Sequence, residues 1–204
     1  MSDTLVGSRP YADFLLPGLV AMSSMTQSWA IASDINISRF YWHTFDEFQT
    51  APLHAVAYAT GEVLAGMTRA VLACLVVMGI GMLGGIQIAY GAPGLWLALL
   101  LNAWFFSSLA VALAMHVKAH ADQALLSSFV ITPMAFLGGT FFPLARLPGW
   151  AQHVLELLPL PHAAQAMQAA AIGQPVRFLS YGLLFLGAGA AFAWAILSVR
   201  SAQG

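Results

Sequence analysis

Hydrophobic positions in this chain come in long unbroken runs rather than in alternation. They occupy 14–36, "FLLPGLVAMSSMTQSWAIASDIN"; a stretch within 56–88, its membrane part over about 60–88; 95–117; about 124–142; and 178–199. A hydrocarbon core of ~30 Å is crossed by about 20 helical residues, so each run predicts one transmembrane helix. A β-barrel would alternate with a period of two. The first run is the most polar. Its Ser23, Ser24, Thr26, Gln27 and Ser28 predict a face turned to other helices rather than to lipid. The second is longer than a crossing needs, which puts its start in the interface. Pro133 lies inside the fourth.

The polar stretches between these runs are unequal. "AYGAP", 89–93, and "KAHADQ", 118–123, read as short turns. The stretch 143–177 is too long for a turn and too broken for a span, because Pro143, Pro148, Pro159, Pro161 and Pro175 interrupt it. Two short helices fit, near 149–158 and 162–172, with Gly173 placed to end the second. At ~1.5 Å per residue neither crosses a bilayer. The expectation is a re-entrant helical hairpin on one membrane face, anchored at Trp150 and carrying His153, Glu156 and His162. The remaining connection, "SRFYWHTFDEFQTAPLHA" at 38–55, is the wettest part of the chain. Thr44 with Glu47 three residues on is a capping-box pattern. It predicts a surface helix over 43–52, with Phe45 and Phe48 on one side, Asp46 and Gln49 on another, and Pro52 ending it.

Composition agrees with this pattern. Of 204 residues, 60% are hydrophobic and 7% charged, against roughly 25% charged in soluble domains. Mean hydropathy is +0.79. The chain reads as an all-α integral membrane protein. A net charge of −1 gives no footprint for nucleic acid. Cys74 is the only cysteine, so no internal disulfide forms, and it reads as a small packing residue. The first fourteen residues lack a basic n-region and a compact apolar stretch with a cleavage site, so the first run is expected to be a permanent span.

Candidate chemistry is sparse. Lys118 is the only lysine and no Gly-x-x-x-x-Gly-Lys-Ser/Thr occurs, so this chain should not hydrolyse ATP itself. His116 and His120 with Asp122, and His43 with Asp46 and Glu47, have metal-like spacing without a further ligand, and read as polar helix ends. No catalytic residue and no metal site is expected. Glu62 and Arg69, seven apart, share one helix face inside a span. Charges there are costly and face protein or water. They are cavity or gating candidates; the plainer alternative has Glu62 reaching the surface and Arg69 paired with a neighbouring span. Asn102, alone in an apolar span, joins them, although such residues more often hold helices together. In the last run, Gly187/Ala191 and Gly189/Ala193 are small-residue pairs for close helix approach. Arg39, Lys118 and Arg200 fall on one side and Arg9, Arg146 and Arg177 on the other, so positive charge does not set the orientation.

The order of features resembles the ABC-2 type transporter permeases, the membrane subunits of exporters. "YADFLLPGLVAMS" is similar to the family's entry into its second span. "FDEFQTAPLHA" resembles its Glu-rich turn, and "AGMTRAVL" its following Gly-x-x-Arg region. "ITPMAFLGGTFFPLARLPGWAQHVLELLPLPHAAQAMQ" resembles its Gly-Gly-x-Phe-Phe-Pro signature and the helix after it. The likeness covers about 11–199. It implies five transmembrane helices plus an outer re-entrant hairpin at 143–177 forming the exit gate. It further implies a coupling helix whose Phe45, Asp46, Glu47 and Phe48 dock on a cytosolic ABC ATPase, with ATP and magnesium on that partner. A homodimer in the cell inner membrane, in contact with membrane lipid, would move a lipid-linked, saccharide or drug-like substrate. The family has one more span and an amphipathic helix ahead of the position of residue 14, and five spans put the N-terminus outside. Two alternatives stand beside this reading. One is an integral membrane enzyme using the outer-hairpin histidines; the other is an inactive, truncated permease.

Overall fold

The structure is a computed structural model that describes residues 5–6, 9–42, 54–117, 120–141, 148–176 and 178–203. Two-residue strands β1 (Leu5–Val6) and β2 (Arg9–Pro10) pair antiparallel, Leu5 with Pro10 and Val6 with Arg9. Every other described element is helical: α1 (Tyr11–Trp29), α2 (Ile31–Phe40), α3 (Ala55–Leu83), α4 (Pro93–His116), α5 (His120–Leu126), a π-helical turn (Ser127–Ile131), α6 (Thr132–Leu137), α7 (Gly149–Glu156), α8 (Pro159–Ala171) and α9 (Phe178–Gln203).

Three helices, α3, α4 and α9, are each long and apolar enough to cross a membrane. Of these α4 is the most enclosed, with 67% of its apolar window buried against 28% for α3 and 33% for α9. It packs against α1, α3, α8 and α9 and forms the axis of the bundle. Pro93 opens it in the first turn, where its missing N–H costs nothing. The core around it holds Val20, Met25, Leu95, Leu99, Phe106, Val111, Leu160, Met167 and Leu184. Small residues let the helices close up. A β-carbon on Gly66 of α3 would lie 2.5 Å from Ser107 Oγ on α4 and 3.3 Å from the Ser28 carbonyl on α1.

The other runs differ from the single helices expected. The run 14–36 is divided at Ala30 into α1 and α2. The break is a tightened turn, in which Ser33 N–H donates to the Ala30 carbonyl at 3.0 Å. The run 124–142 is divided as well, and its helix ends at Leu137. Pro133 has no N–H to give the carbonyl four residues back. Just before it, the Thr132 N–H reaches the Ser127 carbonyl, one residue further than an α-helix would. Helix also begins sooner here, at His120, within what reads as a turn. α3 stops at Leu83 rather than at 88, because Gly84 and Gly85 follow. Gly85 has φ 75° and the Ile86 N–H closes on the Gly81 carbonyl at 3.0 Å.

Over the proline-rich stretch the structure has α7 and α8. α8 begins at Pro159, ahead of the expected 162, because Pro159 and Pro161 both fall in the first turn, where no N–H partner is needed. It ends at Gly173, with φ 72° and the Gln174 N–H on the Ala169 carbonyl at 2.9 Å. The Ala89 N–H then donates to the Ala171 carbonyl at 2.8 Å, tying the 84–92 connection to the end of α8.

Candidate functional site

Polar side chains inside the bundle form two groups. The first is a buried seam between α1–α2 and the helices that cover them. Asn102 of α4 donates to the Ala21 carbonyl at 3.2 Å, and Ser24 Oγ donates to the Leu99 carbonyl at 3.4 Å. Asn36 of α2 donates to Gln123 Oε1 of α5 at 3.3 Å, with both residues fully buried. The Trp29 indole N–H donates to Ser127 Oγ in the π turn at 2.8 Å. Cys74 lies in the same interior, its thiol against the Val20 carbonyl at 3.4 Å. Among the described residues, Asn102 Oδ1, Asn36 Oδ1, Gln123 Nε2 and the hydroxyls of Ser28, Ser107 and Ser108 have no hydrogen-bond partner. These oxygens and nitrogens can bind water or exchange partners when the helices shift, because a buried polar group without a partner is costly.

The second group is a charged line on the α2–α3 side. Arg69 Nη2 and Asp34 Oδ2 are 2.6 Å apart, and both side chains are nearly half exposed, 43% and 48%. Glu62 stands on the same side of α3 and is partly buried. It is hydrogen-bonded to Tyr58 one turn away, and near enough to Asp34 for their charges to repel. Arg39 of α2 donates from Nη1 to the Ala114 carbonyl at 2.7 Å, tying α2 to the end of α4, and its guanidinium lies 5.2 Å from the Phe40 ring centre. Arg69 occupies the middle of a 29-residue helix, about 20 Å from either end. Its pair with Asp34 is therefore set deep in the apolar length of α3 while facing outward from the single chain. Such a pair needs a protein or water neighbour rather than hydrocarbon.

The sequence-predicted residues are thus spread over several places. Glu62 and Arg69 share a face with Asp34, which the sequence reading did not single out. The signal was available, since an arginine within an apolar span requires a carboxylate partner and Asp34 is the one acid in the first run. Asn102 sits in the buried seam, away from that face. His162 is partly buried in the first turn of α8, and Trp150 and Glu156 belong to α7. His116 contacts the Trp194 ring at 5.7 Å between centres, and its Nδ1 lies 2.9 Å from the Ala112 carbonyl, to which it can only donate. Phe45, Asp46, Glu47 and Phe48, and with them the expected coupling helix at 43–52, lie outside the described residues.

Similarity to known proteins places this geometry in context. Residues 3–172 match the model of the ABC-2 type transporter family. The inner membrane transport permease YadH of Escherichia coli K12 is 26% identical, over 83% of this chain and 69% of that protein. Nodulation protein J of Neorhizobium galegae is 31% identical, over 90% of this chain and 69% of its own. The daunorubicin resistance ABC transporter permease protein DrrB1 of Streptomyces coeruleorubidus is 26% identical over 95% and 69%.

Proposed function

Because the chain belongs to the ABC-2 type transporter family, we propose that it is the membrane-embedded permease subunit of an ATP-driven exporter in an inner membrane, its energy supplied by a separate ATPase. The observation that carries this reading is the family match over 3–172, joined to relatives that are themselves named permeases. It is a multi-pass membrane transport permease. The separate ATPase is supported by the sequence, which has a single lysine, Lys118, and no P-loop to hold a nucleotide. ATP and magnesium then belong to the partner.

In this reading two copies form the exporter, each crossing the membrane five times. The segment 43–52 is the cytosolic coupling helix. Phe45 and Phe48 fill a cleft of the ATPase, and Asp46 and Glu47 meet basic residues at its rim. Closure of the ATPases pushes on this segment and tilts α2 and α3. Arg39, Asp34, Arg69 and Glu62 lie along those two helices. Glu62 and Arg69 then work at the wall of the path, and the unpartnered groups around Asn102 let the helices exchange hydrogen bonds as they move. The hairpin that carries Trp150, Glu156 and His162 closes the outer end. The cargo is a lipid-linked, saccharide or drug-like molecule. A relative named for daunorubicin resistance supports the drug-like end of that range.

The test is purification of the tagged chain from its host membrane. A P-loop ATPase is expected to come with it, and liposomes containing both are expected to hydrolyse ATP and to move a fluorescent amphiphile. A chain that purifies with no nucleotide-binding protein, and moves cargo without ATP, would overturn the coupling.

A further inference from the structure

Between the α7–α8 hairpin and α9 lies a groove. It consists of two adjoining cavities of about 640 and 270 Å³, which share Leu157, His162 and Leu183. At the larger cavity His153, Gln165 and Ser180 join His162. At the smaller the lining turns apolar, through Leu158, Leu184 and Gly187 to Phe105 of α4. From Ser180 to Gly187 the groove follows α9 for two turns, about 10 Å. Gly187 shapes the closed end. A β-carbon there would stand 3.1 Å from the Phe105 ring, so its absence lets the ring seal the groove against α4.

We propose that this groove binds one membrane phospholipid, its phosphate among the two imidazoles, Gln165 and Ser180, and an acyl chain along Leu183, Leu184 and Phe105. Three observations carry the assignment. The polar side chains His153, Gln165 and Ser180 line only the larger cavity, beside Leu157, Leu179 and Leu183, and beyond His162 the smaller cavity is apolar, which matches the order of headgroup and tail in a lipid. The polar end offers imidazole, amide and hydroxyl donors, and phosphate oxygens only accept. Leu157 is 85% exposed although it belongs to both cavities, so the hairpin's own wall is uncovered apolar surface in the isolated chain. A hydrocarbon chain would cover it. A polypeptide segment is a poorer occupant, because its backbone N–H and C=O groups would meet the apolar half without partners. The bound lipid would act as packing between hairpin and span, holding α7 at its distance from α9.

The probe is the full chain released into the gas phase from discs of phosphatidylglycerol, with diacylglycerol as the tail-matched competitor that lacks a phosphate. Native mass spectrometry is expected to find one phosphatidylglycerol retained per chain, preferred over diacylglycerol. His153→Leu with His162→Leu should reduce that preference about tenfold, the loss expected for two ordinary hydrogen bonds. Leu183→Trp, which fills the apolar half from a partly exposed position, should abolish retention of both lipids with an unchanged melting temperature. Equal retention of the two lipids by the native chain would overturn the proposal. So would retention untouched by either variant, or a second copy of the chain in place of lipid. The double histidine variant decides the matter even if Leu183→Trp fails to fold. No ATP and no partner enter the measurement, so its failure leaves the permease reading standing, and absence of a co-purifying ATPase leaves the lipid site standing.

Discussion

Arg69 and Asp34 define what a single side chain can mean in this bundle. A lone charge at the centre of a membrane helix costs about 2.5–3.5 kcal/mol, and each of these two removes that cost from the other. Arg69→Leu leaves Asp34 unpaired and should lower the yield of folded protein in the membrane sharply. The double variant Asp34→Leu, Arg69→Leu should recover most of the loss. Melting temperature in detergent and membrane yield would be compared across the native chain and the two variants; a double variant no better than the single one would mean that the pair does not act as an ion pair. Gly66 gives a second prediction at this scale. Gly66→Leu pushes into Ser107 and the Ser28 carbonyl, and overpacking of this kind costs about 1–3 kcal/mol. Gly79→Leu, where a side chain meets open space, should leave the melting temperature nearly unchanged.

At the scale of elements, the apolar runs made α3, α4 and α9 readable, because twenty uninterrupted apolar residues admit few other conformations. The proline-rich stretch was readable too, and α8 even begins on two of its prolines. Hidden from the sequence were the breaks at Ala30 and at the π turn. Neither has a signature of its own: Ala30 is a good helix former, and Pro133 can equally kink a helix or sit in its first turn. The charged face was half legible. Arg69 and Glu62 stood out by charge, while Asp34 was concealed in the run because its partner lies on another helix. One prediction belongs to the segment 43–52. Asp46→Lys with Glu47→Lys should reduce the amount of ATPase that co-purifies at least tenfold, a change of about 1.4 kcal/mol or more in binding, while membrane yield is unaffected. Undiminished ATPase recovery would remove the coupling role from this segment.

For the molecule as a whole, the prediction concerns which end faces which side. With five crossings, a reporter ahead of Ser2 should read outside and one after Gly204 should read cytosol. Cysteines placed singly at Pro148 and Gln174, in a chain carrying Cys74→Ser, should be labelled by an impermeant thiol reagent only from the outside. The background variant is mild, since Cys74 is small, buried and hydrogen-bonded through its weak thiol donor to the Val20 carbonyl, which a serine hydroxyl can also reach. Labelling of both positions from the cytosolic side alone would invert the hairpin and take away its place at the outer end.

The π turn at Ser127–Ile131 has a consequence for how this chain tolerates changes in length. Such a turn holds one residue more than the α-helix it replaces. Deleting one residue there should restore regular helix and leave His120–Leu126 and Thr132–Leu137 facing nearly the same way, because the wide turn already absorbs the extra residue. The Asn36–Gln123 and Trp29–Ser127 hydrogen bonds should therefore outlast the loss of one of Ser128, Phe129 or Val130. Deleting a residue from the regular helix of His120–Leu126 would instead turn its flank by about 100°. The spare residue thus works as slack: length can be lost here without turning the rest of the span.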